Sequence, residues 1–562
     1  MSGSPGQETH QPGFPRLPTP VRALAVAVLL ALPLLGRFLD LSADPPLNVA
    51  FIHAFATDEG YYSFHARAAV LFGERPEPAF WDNERVSPLF DWLLRGSFSL
   101  LGVNLVALRL PQALLGCATV GLLYLLLRHA AGRRAAPWGA LFLAWNHLFS
   151  VYNRVGMYQT LLTFLVTACA LAWLLSWRRP AWALLAGAAA ALALLTSLFS
   201  LLFLGGLAVA TLLALLVRRP PAERGNRAGR GRWAALLSFL AGLALVLVPA
   251  VVLFVLPQAE LVRRDLARSS ALPFYTEALQ SVANVFMALY HPFFLLNLLP
   301  LCGMLAYSGW TLARWRERRP EPLEALLLGW FWSGAAVLAV VNYRPTRYFL
   351  YLLVPLCAAL ALIVARWEEE VRRWPDLLRW LALPLLYVAG LVLWDHLGPR
   401  RFQGDALWWG GVAVAGAAVL AAVALSLGLR GRPALARWGS VLAVACLLGQ
   451  AALGLSAWLG RGHSVEQVSR ELGRLLPDNA LLLRGCTLTL ENRLHCLPMI
   501  EPEEVEPRAL SGYRLFYLTE APVEGLPGDR LWGTWPVLDR IARLYEVAPG
   551  RESLAGLEMG HY

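Results

Sequence analysis

Two adjacent acids, Asp58 and Glu59, stand in the stretch Thr57-Asp58-Glu59-Gly60-Tyr61-Tyr62, after the first long apolar segment of the chain. Such a pair on a loop just outside a membrane suits a general base, or a cation, held beside a lipid-borne substrate. Other polar groups recur at intervals: Asp82, Asn83 and Glu84; Tyr152-Asn153-Arg154 with Gln159; Arg263-Arg264 with His291; and Asn342 to Tyr348, which includes Tyr343 and Arg347. Acids facing arginines fit a phosphate leaving group opposite a nucleophile that must lose a proton. Each group also has a plainer account. Thr57 would cap a helix whose first turn favours both acids, and Arg347 would complement the end of the helix before it. Arg263 and Arg264 would meet lipid headgroups, Arg154 and His291 would be interfacial, and Glu84 would be a solvated loop acid.

The elements that must position these residues are membrane spans. Of 562 residues, 57% are apolar and 15% charged, and apolar runs of about 18 residues or more recur, as in a polytopic membrane protein. Spans are expected at 21–39, 105–128, 136–149, 160–177, 181–217 (two, broken near Ser197), 233–256, 292–313, 323–341, 348–364, 380–394, 406–429 and 439–459. The total is about thirteen. The net charge of +11 comes entirely from arginine, since the chain has no lysine. Those arginines cluster between spans, which argues orientation rather than nucleic-acid binding. Arg128 to Arg134, Arg178-Arg179, Arg218 to Arg232, Arg314 to Arg319, Arg366 to Arg379 and Arg430 to Arg437 fall on one side, which the positive-inside rule makes cytoplasmic.

The expected organisation is a cytoplasmic tail (1–20), an α-helical transmembrane region (21–459) with a first outer loop at 40–104, and a small extracytoplasmic α/β domain (460–562). The protein would be multi-pass in the cell (inner or plasma) membrane. Within the outer loop, Asp58 to Phe72 and Pro88 to Leu101 are amphipathic stretches suited to the membrane surface. In the tail, Ser464 and Gln467 form a capping box, and strands are expected at 480–483, 487–490 and 513–518, with a second helix at 536–545. Cys486 and Cys496 flank a hairpin centred on Asn492 that would leave them diagonal, so a disulfide needs a bulge or a slipped turn. The other five cysteines lie in apolar segments and read as core residues.

These features resemble the membrane-embedded C-type glycosyltransferases that use polyprenyl-phosphate sugars, the group of the protein O-mannosyltransferases and lipid A aminoarabinose transferases. The carrying residues are Asp58 to Tyr62, Asn83 to Leu89 before Trp92, Arg109-Leu110-Pro111, Arg154 to Thr160, His291-Pro292-Phe293, and Arg347-Tyr348-Phe349 with Pro355. The resemblance implies an inverting transfer from a polyprenyl-phosphate donor to an acceptor hydroxyl of a protein, lipid or glycan, on the extracytoplasmic side. Asp58 would be base or metal-linked activator, supported by Glu59 or Glu84. Arg347, Tyr348, His291, Arg263 and Arg264 would contact the donor phosphate, with Arg154, Gln159 and Tyr343 beside them. Two departures stand out: Gln159 where many relatives have an acid, which weakens a two-carboxylate site for a divalent metal ion, and Ser197 where the aminoarabinose branch has lysine. A lipid-carrier flippase or a non-catalytic binding subunit would share the spans without needing the base.

Overall fold

The computed structural model describes residues 19–45, 58–73, 85, 87–217, 227–263, 291–315, 320–341, 345–370, 384, 387, 432–459, 461–483, 485–497, 512–519, 530–537 and 540–547. The helices, in chain order, are α1 (Thr19–Gly36), α2 (Asp58–Phe72), α3 (Pro88–Leu101), α4 (Leu105–Ala130), α5 (Ala135–Trp145), α6 (His147–Tyr152), α7 (Gln159–Ser176), α8 (Trp182–Thr196) and α9 (Ser200–Val217). There follow α10 (Arg227–Ala250), α11 (Pro292–Leu296), α12 (Leu298–Arg314), α13 (Pro322–Val340), a 3₁₀ segment (Thr346–Leu352), α14 (Leu353–Glu370), α15 (Arg432–Leu459) and α16 (Ser464–Leu475). Among the described residues, five helical stretches are long and apolar enough to cross a membrane, and shorter apolar helices accompany them. Helices stand at every expected span except 380–394 and 406–429, which lie outside the described residues apart from Pro384 and Tyr387. The helices pack through small residues as well as large ones. Between α9 and α13, Gly206 and Gly329 bring backbones so close that a Cβ on either would overlap the other's carbonyl, the close approach typical of spanning helices.

The polar breaks between helices are satisfied locally. Asn146 ends α5 and caps α6, its Oδ1 accepting from the Phe149 amide at 3.0 Å, and its amide donates to Asn297 at the α11–α12 break. The expected single segment over 136–149 is therefore two helices, because Asn146 caps rather than continues. The amphipathic stretches form α2 and α3 with the expected bounds, but α2 does not lie on a surface. Residues 59–60 and 62–68 are buried, because α2 is wedged between α3 and the tail.

The tail carries a five-stranded sheet in the order β2-β1-β3-β5-β4, with β1 Ala480–Leu483, β2 His495–Leu497, β3 Arg514–Thr519, β4 Arg530–Val537 and β5 Arg540–Glu546. Strand β1 pairs in parallel with both β2 and β3, and β5 pairs antiparallel with β3 and β4. Three sequence expectations fail here. Residues 536–537 and 540–545 belong to the antiparallel strands β4 and β5 and not to a helix; Ala542 and Leu544 are buried while Ile541 is half-exposed, a period of two that a short window does not separate from a helical face. Helix α16 is capped by Asp44 rather than by Ser464: one Asp44 oxygen accepts from the Ser464 amide and hydroxyl, both at 2.7 Å, and the other from the Val465 amide at 3.1 Å. Residues 487–490 are not a strand. Gly485, at φ +71°, turns the chain into a 3₁₀ segment at Cys486–Thr489, and the chain then crosses over to enter β2 parallel to β1. That crossover, not a hairpin, brings Cys486 and Cys496 together, and they are bridged with Cα atoms 5.8 Å apart.

The bridged 3₁₀ segment is the surface on which α2 rests. The Gly60 amide donates to the Thr487 hydroxyl at 3.1 Å. The buried Arg67 donates to the Thr489, Asn492 and Leu494 carbonyls and sits over the Phe72 ring; burial lowers its pKa to about 9. A Cβ at Gly60 would fall 2.1 Å from the Thr487 nitrogen and 2.5 Å from the Cys486 carbonyl carbon. Those are backbone atoms of a cross-linked turn and have little room to yield. Gly60→Ala should therefore cost about 1–3 kcal/mol by overpacking and loosen the tail from α2. Thermal unfolding and limited proteolysis check this: an unchanged midpoint with no faster release of the tail would rule the contact out as a determinant.

Candidate active site

Asp58 opens α2, where the helix dipole favours a carboxylate. It is about a third exposed and forms a 2.9 Å ion pair with the buried Arg347. Arg347 belongs to the 3₁₀ segment before α14 and does not cap α13. Its guanidinium lies over the Tyr348 ring at 5.4 Å, and Tyr348 packs on Phe199 at 4.2 Å. A narrow recess of about 10 Å³, room for one water, is lined by Arg347, Tyr348, Tyr351, Tyr158, Gln159 and Phe199 among others. Tyr158 packs edge to face on the Tyr62 ring, with centroids 5.1 Å apart. Burial raises both the Tyr62 and Tyr158 phenol pKa values above the ordinary one, so these hydroxyls are neutral hydrogen-bonding groups at physiological pH. Gln159 is 3% exposed, and neither its amide oxygen nor its nitrogen has a hydrogen-bond partner among the described residues. A buried amide so placed beside an arginine is what a polar ligand would satisfy.

Glu59 is one residue from Asp58 and serves differently. It is fully buried. Its two oxygens take a fork from Arg109 at 2.7 and 2.6 Å, and one also accepts the Gly156 amide at 2.6 Å. The remaining Arg109 nitrogen donates to the Leu41 and Ala43 carbonyls. Glu59 thus ties α2, α4, residues 41–43 and the turn before α7 into one unit, and does not reach the recess. The expectation that it backs Asp58 chemically gives way to a positioning role. Burial decides this, because a carboxylate with bonds already on both oxygens is committed to its partners.

The other expected residues divide. His291 packs on the 3₁₀ segment that carries Arg347: it caps α11 through its Nδ1, which accepts the Phe293 amide, and it stacks on Phe349 at 4.5 Å. Arg154 turns away, its guanidinium donating to the Leu39 and Asp40 carbonyls. Arg263 is highly exposed and pairs only loosely, at 3.9 Å, with Glu260 on its own helix. It is not part of the cluster. Glu84, Arg264 and Tyr343 lie outside the described residues, as does Thr57. The aromatic wall of Tyr158, Phe199 and Tyr348 has no sequence signal beyond nearness to polar positions.

The described residues fit a resident divalent cation poorly. Among the described residues no three His, Cys, Asp or Glu side chains converge, and Asp58 already faces a guanidinium.

Comparison with known proteins bears on this arrangement. The family profile described as dolichyl-phosphate-mannose-protein mannosyltransferase matches residues 85–252. The crystal structure of ArnT from Cupriavidus metallidurans bound to undecaprenyl phosphate superposes with a TM-score of 0.57 at 16% identity, covering 93% of this chain and 98% of that one. The chain shares the fold of that ArnT structure. The apo structure of the same ArnT gives a TM-score of 0.56 at 16% identity, with the same coverage of both chains. The oligosaccharyltransferase of Archaeoglobus fulgidus gives 0.45 at 14% identity, over 88% of this chain and 69% of that one, a likeness too slight to build on. No curated protein matches the chain in sequence. The five helical stretches long and apolar enough to cross a membrane agree with a multi-pass membrane protein.

Proposed function

We propose that this chain transfers a sugar from a polyprenyl-phosphate donor to an acceptor hydroxyl, with inversion, on the extracytoplasmic side of the cell membrane. The observation that carries the reading is Arg347, paired with Asp58 and lining the same recess as a Gln159 amide with no partner among the described residues. The ArnT structure with undecaprenyl phosphate supports the choice of donor. The donor phosphate is the stronger partner for Arg347, because a guanidinium binds phosphate through paired charge-assisted hydrogen bonds. Its arrival draws Arg347 off Asp58 and leaves the carboxylate free. Asp58 then takes the acceptor hydroxyl proton while that oxygen bonds the anomeric carbon from the face opposite the phosphate. The anomeric C–O bond to phosphate breaks, and its electron pair leaves on the phosphate, where Arg347 stabilises the developing charge. Gln159 offers its amide N–H donors and carbonyl oxygen to the donor through the one water that its recess can hold. No step is routed through a metal. The arginine-rich loops support a cytoplasmic N-terminus under the positive-inside rule.

The direct test is mass spectrometry of lipids and surface proteins from cells with and without the gene. A glycan lost with the gene and regained with the wild type, but not with an Asp58 variant, supports the reading; identical glycans in all strains reject it. Donor recognition has its own test. Arg347→Ala should weaken binding of a polyprenyl-phosphate donor about tenfold or more, since a hydrogen bond to a charged group contributes about 1.5–3 kcal/mol, and should leave acceptor affinity nearly unchanged. Equal donor affinity for the two proteins would refute the assignment.

A further inference from the structure

A second cavity, of about 290 Å³, lies on the other side of the turn that carries Arg154 and Gly156. Its floor is α5 and α6, and its walls are the C-terminal halves of α1 and α15. The deep end is apolar: Leu32, Pro33 and Gly36 of α1 face Ala451, Gly454 and Leu455 of α15. Leu32 and Leu455 are each 56% exposed, so this end opens sideways, where a spanning bundle meets lipid tails. The other end is polar, lined by Arg154, Arg461, Ser150 and His147. His147 is 2% exposed. Its Nδ1 faces Gln450 Oε1 at 2.9 Å, while its Nε2 has no hydrogen-bond partner among the described residues, nor does the Arg154 Nε. The acids at this end are engaged: both Asp44 oxygens cap α16, and Asp40 lies 3.4 Å from His463.

A cleft with two guanidinium groups at its polar end, a buried imidazole nitrogen with no partner among the described residues, and an apolar slot opening towards the bilayer matches an amphiphile with an anionic head. A volume near 300 Å³ holds a headgroup and the start of a chain, at the small end for ligand pockets. We infer that this cleft binds a single anionic membrane lipid, its phosphate held by Arg154 and Arg461 and its first methylenes lying between α1 and α15. The site is separate from the Asp58–Arg347 recess, with which it shares no lining residue. A lipid would sit here whether or not the chain transfers a sugar. Phosphate at the headgroup has two sources in such a membrane, glycerophospholipid and polyprenyl phosphate.

Cavity-filling variants give a clean test, because a Cβ at Gly36 meets nothing within 4 Å and one at Gly454 only the His147 Cβ at 3.9 Å. The full-length protein is loaded with phosphatidylglycerol, phosphatidylcholine or undecaprenyl monophosphate and read by native mass spectrometry. Phosphatidylglycerol should be retained by the wild type and by Arg347→Ala. Retention should fall about tenfold or more in Gly36→Phe, Gly454→Phe and Arg461→Gln, the loss expected for one charge-assisted contact or for a filled slot. Undecaprenyl monophosphate showing the same pattern in place of phosphatidylglycerol would also support the site and name the carrier lipid as its occupant. Phosphatidylcholine held equally well, retention indifferent to both filling variants, or loss in Arg347→Ala alone would overturn it.

Discussion

Asp58→Asn should reduce the rate of sugar transfer by about 10²–10⁴-fold, the contribution expected of a general base, in a protein that still folds and enters the membrane. The substitution keeps the shape of the side chain and removes only its charge and basicity. The amide oxygen that replaces the carboxylate can still accept from the buried Arg347 guanidinium, so folding should survive. The pair also makes donor binding informative. In the wild type the phosphate competes with Asp58 for Arg347; in Asp58→Asn that competitor is neutral, so donor affinity should be unchanged or tighter while kcat collapses. Full activity in the purified variant would remove the base assignment and leave Asp58 as a helix-opening residue. Weaker donor binding would instead make it part of the binding site.

The largest effect on stability should come from Arg109→Met. Arg109 and Glu59 are both buried, and removing one member of a buried ion pair leaves the other charge uncompensated, at about 3–5 kcal/mol. The loss also strands the Leu41 and Ala43 carbonyls that Arg109 holds. The double variant Glu59→Leu/Arg109→Met removes both charges and should recover much of the stability in denaturant or thermal unfolding, while activity stays low because the support of α2 is altered. A double variant as unstable as the single one would show that the bonds to residues 41–43 and 156, rather than the ion pair, carry the effect.

The sequence alone determined the membrane class, the bounds of α2 and α3, the break at Ser197, β1 and the position of Asp58 beside a polar face. Each of these rests on a local signal: an apolar run of spanning length, a period, or a helix-opening acid. What separated Asp58 from Glu59 was tertiary. Adjacent positions on a helix point about 100° apart, so one acid meets Arg347, nearly three hundred residues away in the chain, and the other is sealed against Arg109. Composition and spacing hold no record of which direction is solvent and which is core. The same is true of the tail. Asp44 rather than Ser464 caps α16, and the partner of Cys486 follows from a parallel crossover that no turn residue announces. The 541–545 alternation fits both a strand and a short helix, and only pairing with β3 and β4 settles it. Side-chain chemistry proposed the reacting groups; long-range packing decided which of them share a cavity, because burial and hydrogen-bond partners are set by contacts between segments far apart in the chain.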